Sequence, residues 1–260
     1  MSLWELGAPY ERYVGRWSRL VARELVDWLA VAAGATWLDV GSGTGALAGT
    51  VLEVASPGSV TAVDSSEGFV DHARSAVPGA TFVVGDAQAL PFADDSFDVV
   101  VSGLVLNFVP DQPRAVAEMT RVARPGGTVA AYVWDYAGRM ELMRHFWDAA
   151  GELDPAARAL DEGQRFRAFE RPEGLERLFA GAGQADVESR AIDIPTVFGD
   201  FDDYWEPFLG GQGPAPSYVS GLDEAERSRL RELLRRRLPS AADGSISLVA
   251  RAWAACGRKP

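Results

Sequence analysis

The sequence contains very little cysteine, histidine or lysine. Among its 260 residues there are one cysteine, Cys256, and two histidines, so we expect neither an internal disulfide nor a zinc site. No run of about 18 apolar residues is present, which argues against a transmembrane helix. The N-terminus also lacks the basic and apolar regions of a signal peptide. These absences predict a protein of the reducing cytoplasm with no bound metal and no membrane partner.

Acidic residues outnumber basic ones. Asp and Glu total 37 against 25 for Lys and Arg, which gives a net charge of -12, and Lys259 is the only lysine. Because nucleic-acid binding depends on clustered basic side chains, we do not expect a nucleic-acid partner. The one Arg-rich stretch, 227–237, has leucines at helical spacing and is predicted to be an amphipathic helix with a solvated basic face. The oligomeric state stays open.

Short apolar runs alternate with helix-compatible stretches along most of the chain. An amphipathic helix is predicted over 16–30, followed by strands at 36–40, 59–63, 80–84, 97–102, 127–134, 186–197 and 245–255. Strands that alternate with helices in this way form parallel sheets that are covered on both faces. The pattern therefore predicts an α/β fold.

The first predicted strand leads into a glycine-rich loop. In TWLDVGSGTGALAG the strand reaches Asp39, and Gly41, Gly43 and Gly45 follow before a helix. Glycine allows a sharp turn and a close approach of the backbone to a ligand. A dinucleotide fingerprint would need glycine where Ala46 stands, so a pyrophosphate is not the first choice. A tight structural turn is the alternative.

Three further strand ends carry polar or small residues at the edge where open α/β sheets bind ligands. Asp64 ends the second strand, where its carboxylate can accept hydrogen bonds from ribose hydroxyls; a helix N-cap is the alternative. Asp86 and Ala87 follow the third strand and can read an adenine edge with a carboxylate and a backbone N–H. The fourth strand leaves the sheet at Leu104, beside the glycine loop.

Residues 35–135 resemble the class I S-adenosylmethionine-dependent methyltransferases. The resemblance rests on LDVGSGTG, AVDSS, GDAQALPFADDSFDVV and the RVARPGG turn, and it points to the small-molecule branch that includes the ubiquinone and menaquinone biosynthesis methyltransferases. It implies a Rossmann-like, mostly parallel sheet of seven strands, with an antiparallel last strand inserted between its neighbours. Helices are expected on both faces, with helical insertions after strands five and six.

The length and the pattern of segments predict one domain, and the resemblance implies a role for each strand end. A single domain over 1–260 would comprise an N-terminal cap at 1–33, a cofactor-binding core at 35–135, and insertions at 137–170 and 199–242 that form an acceptor pocket or lid. The residues implied to hold S-adenosylmethionine are Gly41 and Gly43 at the methionyl part, Asp39 at the loop or the amino group, Asp64 and Ser65 at the ribose, Asp86 and Ala87 at the adenine, and Leu104 near the methionyl group. Aromatic side chains of the N-terminal segment, Tyr13 and Trp17, are expected to close over the sulfonium.

The residues after the fourth strand depart from the family pattern. Many relatives have histidines there, whereas this chain has Leu106, Asn107 and Phe108, which puts a base at this position in doubt. His145 and Tyr204, both in the insertions, are the remaining catalytic candidates. Because the sulfonium is already an activated methyl donor, alignment of the acceptor can supply much of the rate, and a base is optional.

The predicted function is methyl transfer to a small-molecule acceptor, with the methylated atom left open. Acceptor specificity is expected from the insertions, where Tyr204 and Trp205 combine apolar rings with hydrogen-bonding tips. Phe201 and Phe208 are expected to seal the core. Two other functions stay open: a non-catalytic cofactor-binding protein, and a nicotinamide-dependent oxidoreductase, which fits the glycine spacing poorly.

Overall fold

The computed structural model describes residues 15–210 and 213–260, and within these ranges the strands form one sheet of seven. The strands are β1 (Thr36–Val40), β2 (Ser59–Asp64), β3 (Thr81–Val84), β4 (Phe97–Gly103), β5 (Ala123–Trp134), β6 (Ala185–Phe198) and β7 (Ile246–Arg258). Their order across the sheet is β3-β2-β1-β4-β5-β7-β6. This order confirms the predicted fold.

The first five strands are parallel, and the last strand reverses the pattern. β1 pairs in parallel with both β2 and β4, so the loops that follow these three strands meet at one edge. β7 runs antiparallel between β5 and β6. The insertion of an antiparallel last strand agrees with the prediction.

Alternating side chains of the central strands supply two hydrophobic cores, one on each face of the sheet. Trp37 of β1 belongs to one core and Leu38 to the other, as expected when successive side chains point to opposite faces. The first core is covered by α1 (Arg16–Leu29), α2 (Ala46–Val54) and α3 (Glu67–Ala76), and the second by α4 (Gln112–Val122) and α7 (Pro172–Gly181). Helices therefore cover both faces.

Helix starts are fixed by short polar side chains. Ser66 accepts a hydrogen bond from the backbone N–H of Phe69 at the start of α3, and Asp111 caps α4 in the same way. Such caps satisfy N–H groups that have no partner within the helix. The N-cap of α3 is therefore Ser66, which removes the alternative role considered for Asp64.

The two insertions are helical and pack mainly on the α1 side of the sheet, while Phe169 of the first insertion belongs to the second core. The first contains α5 (Glu141–Leu153), α6 (Glu162–Arg165) and 3₁₀ turns at Pro155–Leu160 and Arg167–Phe169. The second contains α8 (Phe201–Trp205), the 3₁₀ turn Glu206–Gly210, α9 (Pro214–Gly221) and α10 (Glu224–Arg237). The predicted Arg-rich helix is α10, which buries its leucines and begins with a capping box. Within the described ranges no helix is both long enough and apolar enough to span a bilayer.

Candidate functional site

A cavity of about 210 Å³ opens at the carboxyl ends of β1, β2, β4 and β5. Its walls come from the glycine loop, the ends of β2 and β4, and aromatic side chains of β5. The lining residues on the loop side include Asp39, Gly41, Ser42, Gly43, Asp64, Ser65 and Leu104, and those on the β5 side are Tyr132, Trp134 and Tyr136, with Phe108 and Ser18 nearby. The cavity thus has an acidic side and an aromatic side.

A second cavity, of about 350 Å³, adjoins the first at the end of β3. Asp86, Ala87 and Gln88 line it, and it shares Gly41 and Asp64 with the first cavity. The two cavities therefore form one groove that crosses the sheet from β3 to β5. This groove lies at the edge where ligands bind open α/β sheets.

The glycine loop needs glycine for two different reasons. Gly41 and Gly43 both have positive φ, 77° and 52°, a region that other residues rarely adopt. A Cβ on Gly41 would lie 2.4 Å from a methyl carbon of Val105, whereas nothing lies within 4 Å of a Cβ built on Gly43. Gly41 therefore allows close packing against Val105, and Gly43 leaves its side of the cavity open.

Asp64 joins the end of β2 to the glycine loop. Its two carboxylate oxygens accept hydrogen bonds from the backbone N–H groups of Gly43 and Ser66, each at 2.8 Å. Burial raises the pKa of the Asp64 carboxyl, and the N–H donors partly offset this effect. Each oxygen has a second lone pair, so the carboxylate can still accept hydrogen bonds from a ligand.

Asp39 lies under the glycine loop with only 1% of its surface exposed. One carboxylate oxygen accepts from the backbone N–H of Ala48 at 3.0 Å, in the first turn of α2. The other oxygen, Oδ1, is buried and has no hydrogen-bond partner among residues 15–210 and 213–260. Burial, together with the nearby charge of Asp64, raises the pKa of Asp39 to about 7. A buried acceptor without a partner is costly, so Asp39 favours a ligand that brings a donor.

Aromatic side chains at the end of β5 form the opposite side of the cavity. Tyr132 and Trp134 alternate along β5 and therefore face the same side of the sheet, and Tyr136 follows in the turn after the strand. Tyr132 lies so close to β4 that a Cβ on Gly103 would be 2.5 Å from its hydroxyl oxygen. The sequence reasoning missed these three residues, although their alternation at the end of a predicted strand was a usable signal.

The predicted cofactor residues lie along the groove, with two exceptions. Asp39, Gly41, Gly43, Asp64, Ser65 and Leu104 line the first cavity, and Asp86 and Ala87 line the second. Trp17 does not line either cavity, because its ring packs edge-on against Phe198 with the centroids 5.6 Å apart. From α1 it is Ser18 that reaches the cavity. Tyr13 lies outside the described residues.

Asp86, the acid predicted to contact the adenine, is held in place by hydrogen bonds from Gln88 in the turn that follows it. The Asp86 carboxylate accepts hydrogen bonds from the backbone N–H of Gln88 at 2.8 Å and from the Gln88 side chain at 3.1 Å. These hydrogen bonds lower the pKa of Asp86, so it is ionised at neutral pH. The neighbouring Ala87 lines the same cavity.

The structure contradicts a direct catalytic role for Tyr204. Its side chain is fully buried, and its hydroxyl donates a hydrogen bond to the carbonyl oxygen of Leu142 at 2.8 Å. Burial raises the pKa of the Tyr204 hydroxyl above its usual value. Trp205 is also buried, and Phe201 and Phe208 belong to the same core. The aromatic face of α8 therefore packs in the core and does not line the acceptor pocket as predicted.

His145 also lies outside both cavities. It is on α5, where burial lowers the pKa of the imidazole and the charges of Glu141, Asp148 and Arg237 act on it. No histidine lines the first cavity in the part of the chain that the structure describes. The catalytic candidate His145 is thus not found in the site.

Comparison with known proteins finds similarity to methyltransferases. The family model of the methyltransferase domain matches residues 38–131. The demethylmenaquinone methyltransferase of Roseiflexus castenholzii is 34% identical over 168 residues, which cover 60% of this chain and 71% of that protein. The malonyl-[acyl-carrier protein] O-methyltransferase of Methylococcus capsulatus is 39% identical over 118 residues, so the chain matches only 42% of that relative's length.

A solved S-adenosylmethionine-dependent methyltransferase of Thermotoga maritima has the same fold. The alignment gives a TM-score of 0.53 at 20% identity and covers 96% of this chain and 94% of the other. Because the Roseiflexus castenholzii relative is 34% identical and is covered over 71% of its length, the chain belongs to the family of S-adenosylmethionine-dependent methyltransferases.

Proposed function

We propose that this methyltransferase transfers the methyl group of S-adenosylmethionine to an uncharged, mostly apolar small molecule. The observation that carries the proposal is the division of one groove into an acidic side, with Asp39 and Asp64, and an aromatic side formed by β5. S-adenosylmethionine has an ammonium group, a sulfonium and ribose hydroxyls, which match two carboxylates. When bound, it supplies a methyl group on a sulfonium that is already activated for transfer.

The order of the strands supports the orientation of the cofactor. The cavity at Asp86 and Ala87 suits the adenine, and the Asp64 carboxylate lies between that cavity and the glycine loop. The open side of Gly43 leaves room for the methionyl group, and Asp39 Oδ1 needs a donor that an ammonium group can provide. Neither Lys nor Arg is among the described residues that line the two cavities, which disfavours a pyrophosphate ligand.

The acceptor side follows from the same order, because β5 lies next to β4 and beyond the glycine loop. Tyr132, Trp134 and Tyr136 supply ring surfaces that can align a flat acceptor and exclude water. Aromatic faces also stabilise a nearby cation such as a sulfonium. Apart from Asp39 and Asp64, no charged side chain lines the first cavity within the described ranges, which favours an uncharged acceptor.

The site supports catalysis by alignment. Alignment of two reactants can lower the activation barrier by about 7 to 11 kcal/mol. The aromatic walls of the cavity provide the surfaces for this alignment. Any proton released by the acceptor would pass to water or to the carboxylate of Asp39 or Asp64, because the lining found among the described residues contains no histidine. The acidic composition, with a net charge of -12, further argues against a nucleic-acid partner.

Calorimetric titration tests the cofactor half of this proposal. We expect S-adenosylmethionine and S-adenosylhomocysteine to bind at one site per chain with micromolar affinity, about -8 kcal/mol, and NAD⁺ to give no heat of binding. Incubation of the enzyme with S-adenosylmethionine and uncharged phenols should then release S-adenosylhomocysteine. Binding of NAD⁺ in place of S-adenosylmethionine, or no binding of either, would contradict the proposal.

A further inference from the structure

We propose that residues 161–169, called the clip below, set the size of the acceptor, and that Phe166 is the positioning residue through which they act. The inference rests on the proposed function, because it concerns the acceptor side of the same groove. Phe166 does not line the cavity itself. Its ring packs against two side chains that do, Phe108 and Tyr136.

The contacts of Phe166 place it as the outer support of the cavity rim. Its ring is edge-on to Phe108, with the centroids 5.2 Å apart, and tilted against Tyr136 at 5.4 Å. Phe108 is 42% exposed, so packing against Phe166 restrains a side chain that is otherwise partly in solvent. The guanidinium of Arg165 lies 5.2 Å from the centre of the Phe166 ring. Phe166 is thereby packed between the rim and a charged surface residue.

The clip is held to α5 by two buried polar contacts. The Arg144 guanidinium makes a two-pronged ion pair with the Asp161 carboxylate, one bond being 2.9 Å, and the two side chains are only 18% and 10% exposed. The Trp147 indole N–H donates to the buried carboxyl of Glu162. Asp161 also caps α6 by accepting from the backbone N–H of Gly163 at 2.8 Å. These contacts fix the position from which Phe166 extends.

Gly163 joins the clip to the end of β5. A Cβ at this position would lie 3.0 Å from the carbonyl oxygen of Tyr136 and 3.1 Å from the Cα of Ala137. The backbone of the clip thus packs closely on the backbone of residues 136–137, and a side chain at position 163 would require a shift of a few tenths of an ångström. The clip, Tyr136 and Phe166 therefore form one packed unit, and loss of the Phe166 ring removes support from both rim residues.

The test uses a series of uncharged aromatic probes of increasing size: phenol, 2-naphthol and 9-phenanthrol. Each probe is titrated into the complex with S-adenosylhomocysteine, and also into the cofactor-free protein. In the wild-type protein we expect the affinity to fall sharply at the three-ring probe. In Phe166→Ala we expect the three-ring probe to bind about tenfold more tightly than it does to the wild type, with the affinity for S-adenosylhomocysteine unchanged.

Phe92→Ala is the matched control. Phe92 is also half-buried and packs edge-on against one phenylalanine, Phe97, with the centroids 5.2 Å apart. Phe97 is at the opposite end of β4 from the cavity. We expect this variant to keep the wild-type order of probe affinities. Phe166→Leu, which retains most of the apolar volume, should restore much of the wild-type order and is the variant to use if Phe166→Ala does not fold.

The inference is wrong if Phe166→Ala keeps the wild-type order of affinities, if Phe92→Ala changes that order equally, or if no probe binds the wild-type protein. Failure of the proposed function is seen separately. If the wild-type protein does not bind S-adenosylhomocysteine, the cofactor assignment is contradicted. The titrations of cofactor-free protein would still report whether Phe166 limits the size of the bound probe.

Discussion

Replacement of Asp39 by asparagine should remove most of the pH dependence of cofactor binding. The Asp39 pKa is raised to about 7 chiefly by burial, and the charge of Asp64 adds to the effect. Only the ionised carboxylate attracts the ammonium group of S-adenosylhomocysteine, so binding is expected to strengthen as the pH rises through this pKa. The asparagine side-chain oxygen can still accept from the N–H of Ala48, the hydrogen bond seen in the structure, so the loop should keep its shape.

The magnitude follows from the position of the pKa. With a pKa of about 7, roughly one tenth of the protein has an ionised Asp39 at pH 6 and roughly nine tenths at pH 8. The dissociation constant of the wild-type complex should therefore fall about ninefold over this range, which corresponds to about 1.3 kcal/mol. In Asp39→Asn the same constant should change by less than about twofold.

The raised pKa of Asp39 should also affect the pH dependence of the free energy of unfolding. Because the folded pKa of Asp39 is raised above the value in the unfolded chain, stability without ligand should fall as the pH rises from about 4 to about 7. The neutral asparagine avoids this cost, so the variant should be at least as stable as the wild type at pH 8. Calorimetry with S-adenosylhomocysteine between pH 6 and pH 8, together with thermal unfolding, measures both effects. Equal pH dependence in the two proteins would refute the role of Asp39.

Two further substitutions distinguish a residue of the cofactor site, Asp64, from a residue of the core, Tyr204. Asp64→Ala should weaken S-adenosylhomocysteine binding by about 1.5 to 3 kcal/mol, the value of a hydrogen bond to a charged acceptor; calorimetry that finds unchanged affinity would remove Asp64 from the cofactor site. Tyr204→Phe should lower the free energy of unfolding by about 1 kcal/mol, because the hydrogen bond to Leu142 is lost, with cofactor affinity preserved. A large loss of methyl transfer at unchanged stability would show instead that the Tyr204 hydroxyl serves the reaction.

The sequence was most informative where local chemistry determines the structure. The first strand was predicted at its observed bounds, Thr36–Val40, because a short apolar run ends at a glycine loop whose backbone only glycine adopts easily. The ligand edge also followed from local signals, since Asp39, Asp64 and Asp86 each stand near the end of a strand. The insertion of β7 between its neighbours came only from the family resemblance, because pairing between distant segments leaves no local pattern.

The aromatic residues were misassigned because periodicity defines a face but not what the face meets. Tyr204 and Trp205 were expected at a pocket, yet their helix packs on a core that includes Phe198 and Phe208. Tyr132 and Trp134 show the reverse error. Aromatic residues in a strand are most simply interpreted as core, so these two were not expected to line a cavity. Only the position of β5 in the sheet, next to β4 and one strand away from β1 and its glycine loop, shows that they line a cavity.

The most direct test of the site is a crystal structure of the complex with S-adenosylhomocysteine. We expect the Asp64 carboxylate to accept hydrogen bonds from the ribose hydroxyls, the adenine to lie beside Asp86 and Ala87, and the sulfur atom to face Tyr132 and Trp134. A cofactor bound away from this groove, or one whose sulfur faces away from β5, would contradict the assignment of the cofactor and acceptor sides.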